Sequence, residues 1–184
     1  MNFVTLPLAG AFLVKLDLRT DERGFFARSF CVDEFAAAGI PADFPQQSIA
    51  RSRRAGTLRG MHLQLEPHAE AKYVRCVRGR IFDAIVDLRP DSPTYLGSAS
   101  VELDADAGDA LFVPAGFAHG YQALRDDTDV LYAMSARFVP AAARSIRWND
   151  PALKIAWPIG EPILSEADRS APGLAEFLRE LTRA

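Results

Sequence analysis

Apolar residues along this chain fall mostly in short runs that alternate with polar ones and are broken by Gly, Pro and Asp, a spacing that predicts β-strands. Residues 72–89, KYVRCVRGRIFDAIVDLR, show it best. Arg78-Gly79 separates two strands, and in the second Phe82, Ala84, Val86 and Leu88 share one face while Asp83 and Asp87 share the other. The runs RPDSPT (89–94), DADAGD (104–109) and LRDDTD (124–129) predict turns: Pro fixes φ, Asp bonds its own backbone, and Gly tolerates positive φ. The amino-terminal stretch MNFVTLPLAGAFLV predicts an early strand. It lacks a basic leader region, is interrupted by Pro7 and is too short to span a bilayer.

The spacing becomes helical in two places. VDEFAAAGIP (32–41) predicts a short helix, with Asp33 near its start, Gly39 as its stop and Pro41 just beyond. Near the end, Leu174, Phe177, Leu178 and Leu181 follow i, i+3, i+4, i+7 spacing with Pro172 in the first turn. This predicts an amphipathic helix covering one side of a β core. Many strands, few helices, no linker and no internal repeat together predict an all-β jelly roll in one domain spanning 1–184.

Composition narrows the function classes. A chain of 184 residues, 49% hydrophobic and with a net charge of −3, can bury a core large enough to hold a rigid site without disulfides. The net acidity argues against a nucleic-acid binder, although RSRRAGTLR (51–59) gathers arginines locally, a run that by itself reads as a solvated face. Cys31 and Cys76 lack metal-site spacing and suit a reducing compartment, so a cytoplasmic protein without membrane attachment is expected.

The sharpest local pattern is GDALFVPAGFAHG (108–120), where Gly108, Pro114, Gly116 and His119 resemble the second motif of the cupin barrels. In metal-binding cupins the first motif has two histidines one residue apart; here that place reads His62-Leu63-Gln64. A catalytic transition metal wants three His or carboxylate ligands, and a site from His62, His119 and Glu70 would depend on an amide neighbour that ligates poorly. The metal-free reading is preferred. His62, Lys72, His119, Tyr132 and, nearer the end, Asp168 then stand as the chemical candidates, with Tyr132 sharing a strand face with Val130 and Met134. Each alone reads as a satisfied core group. Together with Arg23, Arg59 and the arginine run they suit proton transfer on a phosphorylated, carbonyl-containing substrate.

Six segments in order, DERGFFARSF (21–30), GTLRGMHLQ (56–64), AKYVRCVRGRIFDAIVDLRPDSPTY (71–95), VPAGFAHGY (113–121), SIRWNDPALKIAWP (145–158) and LSEADRSAP (164–172), resemble the dTDP-4-dehydrorhamnose 3,5-epimerase family. The resemblance implies a cupin-type double-stranded β-helix that inverts the carbons flanking a 4-keto group of a nucleotide-linked deoxysugar, with no cofactor. It implies that His62 is the base, Asp168 the carboxylate that orients it, Lys72 the cation beside the enolate oxygen and Tyr132 the proton donor. Arg23 and Arg59 match arginines that hold the substrate, through the diphosphate, and Gln47 and His119 match substrate contacts. The partners it implies are a dTDP-linked sugar and a second copy of the chain, with site residues often shared across the dimer.

The departures lie elsewhere. Family members commonly have Glu where this chain has Arg28, Asn at Ile49, Tyr at Phe138, Glu at Ala143 and Lys at Ala167. Phe138 keeps the aromatic face for stacking on the base and loses the hydroxyl. The proton-transfer set is intact while the nucleotide-reading set is altered, so an active epimerase with changed nucleotide or sugar preference is the expectation. Two other classes stay open on the residues alone: a metal-dependent cupin oxygenase or isomerase, and a sugar-nucleotide binding module without catalysis.

Overall fold

The alternation read from the sequence closes into two antiparallel sheets that face each other. The computed structural model describes residues 1–181. Its strands are β1 (Asn2–Thr5), β2 (Phe12–Lys15), β3 (Arg19–Asp21), β4 (Gly24–Phe26), β5 (Gln46–Ser52), β6 (Leu58–Gln64), β7 (Lys72–Arg78), β8 (Arg80–Asp87), β9 (Ser98–Asp104), β10 (Ala110–Val113), β11 (Phe117–Ala123), β12 (Thr128–Met134) and β13 (Ala143–Ser145). Three short helices accompany them: α1 (Val32–Ala37), α2 (Glu166–Arg169) and α3 (Leu174–Leu181). One sheet runs β1-β2-β10-β7-β12-β5, the other β13-β6-β11-β8-β9, and β3 with β4 forms a separate ribbon. Most neighbours are not consecutive in the chain, the crossing connectivity of a jelly roll.

Between the sheets lies an apolar core. Val74, Cys76, Leu111, Val113 and Val130 come from the first sheet and meet Ile81, Ile85, Leu103, Phe117 and Tyr121 from the second. The outer faces are covered too. Met61, Leu63, Ala84 and Val86 pack under Ile146, Leu153, Leu174 and Phe177, so α3 covers the second sheet as its spacing predicts. Phe35 of α1 and Ile40 cover Val14, Tyr73 and Phe112 of the first.

Burial on both faces settles where Asp83 and Asp87 go: both are fully buried on the inner side of β8. A carboxylate there needs partners. Asp87 accepts from the Arg89 Nε and backbone N–H and from the hydroxyls of Ser92 and Thr94, a knot built by the RPDSPT turn. Burial would push its pKa up, but Arg89, Ser92 and Thr94 outweigh that and bring it down to about 2.

Two expectations are corrected. The amino-terminal stretch is two strands, because the Leu6 and Ala11 N–H groups close a tight turn around Pro7 that folds β2 back on β1. Pro172 precedes α3 instead of lying in its first turn; the helix opens at Leu174, whose N–H donates to Asp150 Oδ2 at 2.8 Å. Among the described residues no helix is long and apolar enough to cross a membrane.

Candidate active site

Where β5, β7 and β12 of one sheet draw away from β6 and β13 of the other, a cavity of about 520 Å³ opens. Strand alternation decides what faces it. On β6, Met61 and Leu63 point outward into the packing under α3, so His62 and Gln64 point in. On β12 the inward set is Val130, Tyr132 and Met134, as the sequence predicts. On β7 it begins with Lys72, and on β5 it includes Gln46 and Ser48.

His62 is anchored from behind by Asp168, whose Oδ1 lies 2.5 Å from Nε2. Asp168 stands on α2, not on a strand. The Ser165 hydroxyl starts that helix, accepting from the Asp168 N–H at 3.1 Å and donating to Asp168 Oδ2 at 2.8 Å. Burial opposes ionisation of Asp168, yet the His62 and Ser165 hydrogen bonds outweigh it and hold its pKa below the ordinary carboxylate value. An ionised carboxylate can only accept, so Nε2 carries a hydrogen, and in the neutral ring the lone pair is left on Nδ1. The His62 side chain is 45% exposed and that of Asp168 6%, an accessible base on a buried support.

Tyr132 stands on the opposite wall, on a central strand in register with Ser48 of β5 and Val74 of β7. Burial, then the neighbouring Tyr121 and Asp83, push its phenol well above the ordinary value, so it stays protonated at neutral pH. Lys72 Nζ lies 2.9 Å from Glu70 Oε1 on the same wall. Base and phenolic acid thus belong to opposed sheets, with the Lys72 cation on the strand beside the acid and a cavity wide enough for a sugar. Such a set can remove a proton from carbon beside a ketone, hold the oxyanion and return a proton from the other face.

The remaining predicted residues are placed less uniformly. Phe138 and Ala143 line the cavity. Arg59 is not among the lining residues; it is exposed on β6, donating to Arg51 O at 3.0 Å and acting electrostatically on Tyr121 and Tyr132. His119 lies behind the wall, nearly buried, with Nε2 2.6 Å from Asp83 Oδ1 and its ring 5.8 Å from that of Tyr132. Three more predicted substrate contacts lie outside the cavity of their own chain. Arg23 is on the β3–β4 turn, paired with Asp21; Arg28 is paired with Glu34; Gln47 faces the other side of β5. Of the other altered positions, Ile49 is exposed on β5 and Ala167 lies on α2.

Gln64, at the place of the missing cupin histidine, has both ends in use: Oε1 accepts from Val139 N at 2.6 Å, and Nε2 donates to Glu70. Among the described residues no three His, Cys, Asp or Glu side chains are gathered to hold a metal. Gln64, Glu70, Asp83 and Ser165 were not recognisable as a supporting set from sequence. Asp83 had one legible signal: a strand apolar at both Ile81/Ile85 and Ala84/Val86 is buried on both faces, and an Asp within it must be paired.

Known proteins share this architecture and its sequence. A protein from Pseudomonas aeruginosa, a dTDP-4-dehydrorhamnose 3,5-epimerase, is 42% identical over 96% of this chain and 97% of its own. A dTDP-4-dehydrorhamnose 3-epimerase from Streptomyces niveus is 38% identical over 96% of this chain and 85% of its own. The crystal structure of a dTDP-6-deoxy-D-glucose-3,5-epimerase from Legionella pneumophila, in complex with dTDP-4-keto-L-rhamnose, superposes with a TM-score of 0.91 at 34% identity, covering 98% of this chain and 96% of that one. The sequence model of dTDP-4-dehydrorhamnose 3,5-epimerases matches residues 5–176, from the end of β1 into α3, and so the chain belongs to that family of isomerases.

Proposed function

We propose that the chain inverts carbon centres beside the 4-keto group of a dTDP-linked 4-keto-6-deoxyhexose, at C3, C5 or both, by proton transfer across the cavity. The observation that carries this is the placement of His62, backed by Asp168 at 2.5 Å, and Tyr132 on facing sheets around one cavity. His62 Nδ1 takes the proton from carbon, and the positive charge gained is stabilised by Asp168. The electrons move onto the 4-keto oxygen, where the Lys72 ammonium offsets the developing charge. The neutral Tyr132 phenol returns a proton from the opposite face, which sets the inverted configuration. Phe138 at the cavity wall offers an aromatic face for the base, and Arg59 a forked donor for the diphosphate.

The same reading includes a homodimer. Arg23 has an 84% exposed side chain on the projecting β3–β4 ribbon, which also exposes Phe25 and Phe26. β5 is an unpaired sheet edge carrying an exposed Ile49. A second copy would cover both and could bring Arg23, Arg28 or Gln47 to a site that their own chain does not reach. The reading also includes one domain, and a cytoplasmic location in keeping with free Cys31 and Cys76.

Proton NMR of dTDP-4-keto-6-deoxyglucose incubated with the protein in D₂O tests the activity. Loss of the C3 signal, the C5 signal or both is expected, and the pattern separates single from double inversion. Intact signals with bound ligand would favour a binding module. Competition by dTDP against UDP tests the nucleotide, with equal inhibition counting against dTDP preference, and light scattering across concentrations tests the dimer.

A further inference from the structure

Glu70 lies just before β7, two residues from Lys72, and the proton-transfer scheme above leaves it without a role. Its Oε1 is 2.9 Å from Lys72 Nζ, and both side chains are only 9% exposed. An ammonium enclosed to this degree requires a counter-charge, so pairing alone is unremarkable. What distinguishes Glu70 is how its other oxygen is held. Oε2 accepts from Gln64 Nε2, and Gln64 is itself fixed: Oε1 accepts from Val139 N at 2.6 Å, and Nε2 also reaches His68 O at 3.1 Å and Arg137 O at 3.2 Å. The carboxylate is therefore held from β6 by Gln64, an amide that is itself fixed by the segment 137–139, whose Phe138 lines the same cavity.

A lysine ends in a compact charge on a flexible four-carbon stem, with three donors and no preferred fork. Oxyanion stabilisation requires the donor to stand at the developing charge before the reaction, without reorganising. Glu70 occupies one of the three N–H donors and leaves two for the cavity. The geometry points to Glu70 as the positioning residue for Lys72, holding its ammonium, through the Gln64 clamp, where the 4-keto oxygen becomes an oxyanion. This rests on the proposed role of Lys72.

The test is a double-mutant cycle in the full chain with Glu70→Ala, Glu70→Gln and Lys72→Ala. Inversion of dTDP-4-keto-6-deoxyglucose is measured as kcat and KM, with thermal melting to show that each variant is folded. Glu70→Ala is expected to lower kcat about 10- to 100-fold while KM moves less than about threefold, the signature of a lost transition-state interaction. Glu70→Gln keeps a carbonyl acceptor for Nζ at the same size and should recover part of the loss even if the alanine variant folds poorly. Glu70→Ala should add nothing to Lys72→Ala, because no ammonium remains to be placed. Multiplicative losses in the double variant, or a change confined to KM, would overturn the role of Glu70 while leaving Lys72 in place. A Lys72→Ala variant as fast as wild type would overturn both.

Discussion

Replacing Asp168 by Asn keeps the size of the side chain behind His62 and removes its charge. In the wild type Oδ1 stands 2.5 Å from Nε2, and Oδ2 is held by the Ser165 hydroxyl at 2.8 Å, so the carboxylate cannot turn away as His62 becomes positive. A charge-assisted bond of this kind is worth about 1.5–3 kcal/mol more than none, which converts to about 10- to 150-fold in rate. A second loss follows if the Asn amide donates to Nε2, because the ring then carries its hydrogen on Nδ1 and has no lone pair for the substrate. Full enclosure would make the loss larger, as in buried His-Asp pairs, but the His62 side chain is 45% exposed and water can solvate part of the imidazolium. The expected outcome is a fall in kcat of about 100-fold with KM within about threefold, measured by NMR of the inversion reaction, and with an unchanged melting profile. A variant within about threefold of wild type in kcat would refute the idea that Asp168 supports the base.

Other consequences follow from the fold. Because folding lowers the Asp87 pKa from 3.8 to about 2, it favours the ionised form, a contribution of about 2 kcal/mol that is complete above pH 4 and lost as pH falls toward 2. Asp87→Asn should therefore lower urea-measured stability at pH 7 by about 2–4 kcal/mol, since Arg89 loses its counter-charge, and should weaken the acid dependence between pH 4 and 2; an unchanged acid limb would count against it. At Gly60 φ is +143°, and an added Cβ would lie 2.5 Å from Gly120 Cα and 3.2 Å from His119 O. Gly60→Ala should force β6 from β11, lower stability by about 3 kcal/mol or more and displace His62, with activity falling further than the folded fraction in parallel melting and rate measurements.

Much of this was legible in the chain because β-strands write their period directly. The alternation at 72–89 located β7 and β8, the turn residues located their ends, and the 3.6-residue spacing located α3. His62, Lys72 and Tyr132 were visible as candidates on strand-like segments, Tyr132 with a face shared by Val130 and Met134. What residue pattern alone does not encode is what depends on long-range register: the pairing of Asp168 with His62, 106 residues away, is implied only by the family resemblance, and neither its short helix nor the meeting of Asp83 with His119 on the neighbouring strand is read from the sequence. Gln64 read as a missing metal ligand, and only its partners Glu70 and Val139 reveal an amide clamp. Arg23 and Gln47 follow the pattern of the family in sequence and Arg28 departs from it, yet all three lie away from the cavity of their own chain, a separation that no intrachain pattern encodes.

The central claim is that His62 and Tyr132 act from opposite sides of one cavity, and the ratio of deuterium exchange to inversion in D₂O tests it most directly. With dTDP-4-keto-6-deoxyglucose, His62→Ala should abolish both exchange and inversion, while Tyr132→Phe should retain exchange beside the ketone and lose inversion more severely, since enolate formation needs only the base. Substantial exchange in His62→Ala, or equal loss of exchange and inversion in Tyr132→Phe, would contradict it.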